Sequence, residues 1–390
     1  MTPNDIPQHT VQNTISLRLG DPDLTTLATE ELRSTVQMII NSPDFYRGLQ
    51  YGPEEGIQSL ITFLVEKINR EQGTSMGPAN MMLVAGATHA VDMLARLYAR
   101  RGGVVLIEAP TYADAIRVFQ DHQIELYSIP MDNDGLITSE LEKRLAWLKS
   151  KGKFPSFLYT IPTFHNPMGS ILCEARRLEI IELASQYGFM IVEDDVYRDL
   201  SFNGIVPASF YAMAHGKQVC SIGSFSKTLA PGLRLGWLAA SEEVIQRCIN
   251  CGTTQMGGGA NPFSAHIVAE YCRSGHWGKH ILHLRSLYKT RRDLMLAALK
   301  LYMPSEVEWT HPEGGFFIWL KLPKNVFAQH VKDVALQAGV SLAAGDAFFL
   351  NPSEGRHRLR LAYSYAPPHE LDSAIRILAQ VVNRSREGEP

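Results

Sequence analysis

Five short, continuously apolar runs lie between residues 82 and 222, at 82–86, 104–108, 157–161, 189–193 and 219–222. They do not alternate apolar with polar, which is the pattern of parallel strands covered on both faces. Helical spacing follows the first two runs, at 88–100 and 114–122. Strands that alternate with helices predict an α/β unit built on a mostly parallel sheet. The texture changes near His276. Residues 276–301 carry one long helical pattern that includes Arg285, Lys289, Arg291 and Arg292, and they read as a connecting helix. Beyond it, apolar runs at 314–320 and 358–363 flank a helical stretch at 327–338, which predicts a smaller α+β unit. There is no internal repeat, and only residues 385–390 read as a disordered tail.

A chain of 390 residues exceeds one ordinary core and suits two unequal domains. With 45% apolar and 20% charged residues it has a globular composition. Lys and Arg total 37 against 40 Asp and Glu, a formal net charge of −3. That balance provides no basic field for nucleic acid or an anionic membrane. No apolar run approaches the roughly 20 residues of a membrane helix. Residues 1–9 are polar and do not form a secretory signal, so the expectation is a cytoplasmic protein. Cys173, Cys220, Cys248, Cys251 and Cys272 are odd in number and scattered, which argues against a disulfide framework. Cys248 and Cys251 form a C-x-x-C without further zinc ligands nearby, and they follow a helical stretch rather than opening one. They read as two ordinary thiols.

The densest chemistry lies at 221–237, SIGSFSKTLAPGLRLGW. Here a strand ends in hydroxyl residues, then a lysine, a Pro-Gly turn and an arginine. Ser224, Ser226 and Arg234 can converge on one phosphate, the hydroxyls donating and the guanidinium gripping with two prongs. A lysine among them can form an imine with an aldehyde. At 189–197, FMIVEDDVY, a strand ends in acids, which puts a carboxylate at the carboxyl edge of the sheet, where α/β sites lie. Asp194 and Asp195 are both candidates, with Asp195 the better helix cap. At 84–88, VAGAT, small residues open a helix whose N-terminus favours an anion. Arg358 and Arg360 in RLRLAYS, 358–364, are two apart on a strand and therefore share a face.

The segment around Lys227 resembles the cofactor-lysine motif of the class I and II pyridoxal-phosphate aminotransferases, fold type I of the aspartate aminotransferase superfamily. Further motifs of that family appear in order over about residues 15–365. The resemblance implies pyridoxal 5'-phosphate as cofactor, with Lys227 as Schiff-base lysine and proton shuttle. It implies Ser224, Ser226 and Arg234 as phosphate ligands, together with Gly86, Ala87 and Thr88. The family's Asp-x-x-Tyr spacing selects Asp194 as partner of the pyridine nitrogen and Tyr197 as partner of the phenolic oxygen. Asn166, in PTFHNPMG at 162–169, would also reach that oxygen and help to hold the substrate carboxylate. Pro167 after it is a candidate cis proline. His165 and His89 read as packing residues. Tyr112, in EAPTY at 108–112, would stack on the ring. Tyr51, in LQYGPEEG at 49–56, would reach the phosphate of a neighbouring subunit, which makes a homodimer with shared active sites. Arg360 would bind the substrate carboxylate, with Arg358 the other possibility.

The implied fold is α/β: a large domain with a mostly parallel seven-stranded sheet between helices, and a smaller α+β domain built from both chain ends. The expected boundaries are 1–45 for an N-terminal segment of the small domain, 46–280 for the cofactor domain and 281–390 for the C-terminal small domain with its connecting helix. The implied reaction passes an amino group from an α-amino acid to a 2-oxo acid, 2-oxoglutarate being the standing guess. The nearest patterns are the 2-aminoadipate and aromatic types. Residues 17–23, LRLGDPD, resemble the family segment lining the substrate pocket, with Gly20 and Arg18 as candidate substrate contacts, but the usual Phe-Pro pair downstream is absent. Residues 257–259, all glycine, read as a mobile stretch that shapes the pocket. Two rivals share the fold: a lyase or oxidative deaminase using the same residues, and the sensor domain of a transcription regulator, which needs a basic DNA-binding domain ahead of it.

Overall fold

The computed structural model describes residues 14–387. Its strands are β1 (Ile15–Ser16), β2 (Met81–Val84), β3 (Val104–Ala109), β4 (Glu125–Asp132), β5 (Gly135–Leu136), β6 (Pro155–Thr160), β7 (Met190–Asp194), β8 (Val219–Ser224), β9 (Gly236–Ala239), β10 (Glu308–Trp309), β11 (Phe317–Lys321), β12 (Val340–Ser341), β13 (Ala343–Ala344) and β14 (Arg358–Ala362). The helices are α1 (Glu30–Ile40), α2 (Gln58–Gln72), α3 (Ala87–Leu94), α4 (Ala113–Asp121), α5 (Thr138–Ser150), α6 (Glu174–Tyr187), α7 (Phe210–Met213), α8 (Glu242–Ile249), α9 (Gly252–Gln255), α10 (Pro262–Arg273), α11 (His276–Tyr302), α12 (Ala328–Gln337) and α13 (Pro368–Glu387).

The main sheet runs β2-β9-β8-β7-β6-β3-β4-β5. Strands β8, β7, β6, β3 and β4 are mutually parallel, whereas β9 lies antiparallel to both its neighbours. Seven strands make up the expected sheet, and β5 adds an eighth, a two-residue antiparallel pairing at the β4 edge. The strands are continuously apolar because both faces are covered. In β3, Val104 and Leu106 enter one core cluster while Val105 and Ile107 enter the other. Strands β4 and β9 were not legible as strands: β4 is mostly half-buried, and β9 begins at Gly236 inside the lysine segment.

A second core gathers around the antiparallel sheet β10-β11-β14-β13. The N-terminal β1 pairs in parallel with β12, Ile15 opposite Val340, so the two chain ends meet in one layer. The 27-residue α11 lies against α13, its buried Leu284, Tyr288, Met295 and Leu299 facing that core. The expected disordered tail is corrected in part, because Ser385 to Glu387 close the last turn of α13. Val381 and Val382 are buried just before it, Ser385 Oγ donates to the Val381 carbonyl (2.9 Å), and Arg386 pairs with Glu306 (2.8 Å). These contacts give the segment an anchored face that composition alone does not reveal.

One buried ion pair ties the N-terminal segment down. Arg291 of α11 donates to Asp23 and to the Ser364 carbonyl, and Tyr288 Oη accepts from Asp23 N (3.2 Å). Breaking a buried pair from one side leaves an uncompensated charge. Asp23→Asn is therefore expected to destabilise the protein by about 3 kcal/mol, read as a lower midpoint in chemical denaturation. An unchanged midpoint would show that Arg291 finds another partner.

Candidate active site

In an open α/β sheet, ligands sit beyond the carboxyl ends of the strands where the strand order reverses. That point lies between β3 and β6, since the chain winds from β3 out to β4 and from β6 out through β7 to β8. Each of these strands delivers a residue there. Tyr112 follows β3 as the residue before α4, Asn166 follows β6, Asp194 ends β7, and Ser224 ends β8 just before Ser226 and Lys227. They open onto a cavity of about 710 Å³ that is also lined by Ala87, Thr88, Arg234, Tyr197, Arg360, Gly20 and Arg18.

The Asn166 turn is held from behind. Its Asn166–Pro167 peptide is cis, as is Ala109–Pro110, which the sequence did not flag. The buried Arg177 of α6 donates to the carbonyls of Pro162 (2.9 Å) and Leu172 (2.9 Å), which clamps both ends of the loop. His165 is buried on Glu108 (3.1 Å), whose carboxylate also takes Thr160 Oγ1 (2.6 Å) and Ile161 N (2.9 Å). Gly169 adopts φ +70°, and a Cβ there would come 2.6 Å from the Phe317 carbonyl, so the turn can approach β11 only as glycine.

Asp194 is buried. Its Oδ2 accepts from Tyr159 Oη at 2.6 Å, while its Oδ1 is buried with no partner. Burial pushes its carboxyl up to about 6, against the opposing pull of the Tyr159 hydrogen bond. Asp195 turns the other way and pairs with Arg198 (3.0 Å). Lys227 Nζ reaches the cavity and donates to the Gly20 carbonyl (2.7 Å). Burial, above all, lowers its pKa, and Arg360 and Arg234 add to that lowering. Burial likewise raises the Tyr112 and Tyr197 hydroxyls above their ordinary range, so both stay protonated donors.

At one end of the cavity Arg360 donates from Nη1 to Asn166 Oδ1 (2.9 Å) and from Nη2 to the Arg18 carbonyl (2.8 Å), while its Nε is buried without a partner. The guanidinium lies over Phe317 (4.3 Å to the ring centre) and Phe348 (4.9 Å). Burial lowers its pKa to about 10, still a cation at neutral pH. Arg358, two residues back on the same strand, does not line the cavity. At the other end, Ser226 N donates to Ser224 Oγ (3.0 Å), and Arg234, in a left-handed conformation, reaches the Ala85 carbonyl (3.2 Å) beside the N-terminus of α3. Gly86 does not itself line the cavity. It sits at φ +89°, and a Cβ there would lie 2.7 Å from Arg234 Nη2. Its neighbour His89 accepts from Ala85 N (3.1 Å) and so braces this turn.

The family model described as "Aminotransferase class I and II" matches residues 13–378. This chain belongs to that family. Relatives of known name agree with it. The aminotransferase is 34% identical over 368 residues to aromatic-amino-acid aminotransferase 1 of Thermococcus litoralis, covering 94% of this chain and 88% of that one. Its fold is similar to the multiple substrate aminotransferase of Thermococcus profundus, with TM-score 0.92 at 32% identity, covering 97% of this chain and 93% of the other. It is similar also to Pyrococcus horikoshii kynurenine aminotransferase, a structure in complex with PMP, with TM-score 0.91 at 33% identity over 96% and 92% of the two chains. The enzyme is a fold type I transaminase, and its cofactor is pyridoxal 5'-phosphate. The cavity suits it: a free buried carboxylate oxygen for a protonated ring nitrogen, a lysine for the aldehyde, and a helix N-terminus with hydroxyls and a guanidinium for the phosphate.

Tyr51 stands apart. It is 82% exposed, lies outside the cavity, and touches Gly257 of the triple-glycine stretch, where a Cβ would meet its ring at 2.8 Å. Sequence reasoning missed Tyr159 and Arg177. The first lies in the apolar run 157–161 and the second in a stretch that carried no motif. Among the described residues no helix is long and apolar enough to cross a membrane, no group of three metal-ligating side chains forms, and the five cysteines are free.

The crowding at Gly86 generates a prediction. Gly86→Ala strains a left-handed position and pushes Arg234 out of place. Affinity of the cofactor-free protein for pyridoxal phosphate, followed by fluorescence titration, should fall about tenfold, or about 1.4 kcal/mol. Unchanged affinity would mean that Arg234 does not hold the phosphate.

Proposed function

We propose that this aminotransferase moves the amino group of an α-amino acid to a 2-oxo acid, with 2-oxoglutarate as acceptor, in the two half-reactions of a ping-pong cycle, and that Lys227 is where the cofactor attaches covalently. The observation that carries this reading is Lys227 itself: a buried amine, depressed toward neutrality, placed in one cavity with Asp194 and Arg360. Bound pyridoxal phosphate supplies an electron sink conjugated to the substrate Cα. Asp194 keeps that sink charged by facing the ring nitrogen with its free oxygen. Tyr112 stacks on the ring, and Tyr197 with Asn166 donates to the phenolic oxygen. Ser224, Ser226, Arg234 and the backbone at Ala87 and Thr88 would cradle the phosphate, with Gly86 leaving the room that Arg234 needs. Arg360 and Asn166 receive the substrate carboxylate, with Gly20 and Arg18 lining the rest of the pocket. Lys227 Nζ, its pKa lowered by burial, would take the proton from Cα and return it on the other side of the reacting system.

The donor is of the aromatic or 2-aminoadipate type, a reading supported by relatives named for such substrates. The residue ranges 1–45, 46–280 and 281–390 stand as the proposed domains, and the cytoplasm as the proposed location. Tyr51, exposed on an isolated chain, reaches the phosphate of a second copy, which makes the working unit a dimer.

Two outcomes follow. Mixed with single amino acids and no oxo acid, the yellow protein should convert its cofactor to the aminated form, 2-oxoglutarate should reverse that, and Lys227→Ala should do neither. Ammonia release without the aminated cofactor would transfer the protein to the lyases or deaminases. For the shared site, a refolded mixture of Lys227→Ala and Tyr51→Ala chains should exceed either variant in activity, because each hybrid dimer retains one intact site. No gain on mixing would place Tyr51 outside the site.

A further inference from the structure

β7 ends in two carboxylates, Glu193 and Asp194, and Asp195 follows directly; Glu193 and Asp195 turn to one side and Asp194 to the other. Glu193 accepts from Phe210 N (2.8 Å) and lies 3.6 Å from Arg177, while Asp195 pairs with Arg198. Among the described residues no cation pairs with Asp194. Its one hydrogen-bonding side chain is Tyr159, a fully buried residue of β6, the adjacent parallel strand. The Tyr159 ring is held edge-on by Phe119 of α4, centres 5.5 Å apart, in a layer that also holds Phe157. The hydroxyl occupies Oδ2 at 2.6 Å and leaves Oδ1 as the one open acceptor.

We infer that Tyr159 is a positioning residue: its hydroxyl keeps Asp194 ionised and orients its free oxygen Oδ1 toward the cofactor's ring nitrogen. The inference rests on the proposed role of Asp194. The charges around that carboxylate explain why it needs help. Burial, Asp195 and Glu108 all push it toward the neutral acid, and the Tyr159 hydroxyl opposes them. Across the cavity it also faces Lys227, Tyr112 and Tyr197. A protonated Asp194 could not balance a ring cation, so the sink would weaken. Tyr159, buried and well above its ordinary titration range, remains a donor throughout the working pH.

The sign follows directly. A carboxyl with a raised pKa loses its charge as pH falls through about 6, and removing a donor that opposes the rise moves that loss to higher pH. In Tyr159→Phe the fall in cofactor affinity on acidification should begin about one pH unit higher. The full-length cofactor-free chain would be titrated from pH 5 to 9 with pyridoxal phosphate and with its deaza analogue, which has CH in place of the ring nitrogen. Wild-type protein should prefer the natural cofactor, and Asp194→Asn should abolish that preference. If wild type does not discriminate, the reading of Asp194 fails and Tyr159 is left without a role. If wild type discriminates, Tyr159→Phe should weaken pyridoxal phosphate about tenfold and leave the analogue unchanged. Equal weakening of both ligands, or an unshifted pH dependence, would reduce Tyr159 to a packing residue. Phe119→Leu, which keeps the hydroxyl but loosens the ring, should give a smaller shift in the same direction, and it carries the test should Tyr159→Phe not fold.

Discussion

One guanidinium connects three separated stretches of chain. Arg360 arises on β14, donates to Asn166 on the turn after β6, and donates again to the Arg18 carbonyl near the N-terminus. Its Nε–H is buried and open, and Phe317 and Phe348 cover its faces. A cation in that position is costly unless its hydrogens are used and its field is answered. The arrangement answers it from the main sheet, from the N-terminal segment and from whatever anion enters the cavity. The packing of the second core on the first therefore also closes this end of the cavity.

The carboxylates of β7 solve a related problem. Three acids in a row, two closing a buried strand and one just past it, would repel one another if they shared an environment. The pleat separates them: Glu193 and Asp195 face arginines supplied by α6 and by the turn after β7, and Asp194 faces the cavity. Burial pushes the Glu193 carboxyl upward, as it does that of Asp194. The protein-side partner of Asp194 is a neutral phenol rather than a cation.

The candidate residues were named before the fold was known, and the fold brings most of them to one cavity. Asp194 was distinguished from Asp195 by spacing to Tyr197, and the structure places Asp194 in the cavity and Asp195 on Arg198. Arg358 and Arg360 share a face, and only their depth along the strand separates them: Arg360 lines the cavity and Arg358 does not. That distance depends on where β11 and β13 end, which no local pattern encodes. Tyr159 and Arg177 were hidden because each looks ordinary in its own element. Their polar atoms acquire meaning only from what lies across the sheet or under the loop. Strands β4 and β9 escaped because one is half-buried and the other starts within a glycine-containing turn.

By itself the sequence determined which residues could do chemistry and in what order they follow the strands. Apolar periodicity, turn residues and motif spacing are local properties, and the motifs around Lys227, Asp194 and Asn166 carry them within a few residues. Only the tertiary structure decided which of those residues share a cavity, which oxygen of Asp194 is left free, and why Arg360 rather than Arg358 reaches Asn166. Burial and hydrogen-bond partnership across long sequence separations set these outcomes, because they depend on the register of neighbouring strands and the packing of helices on them.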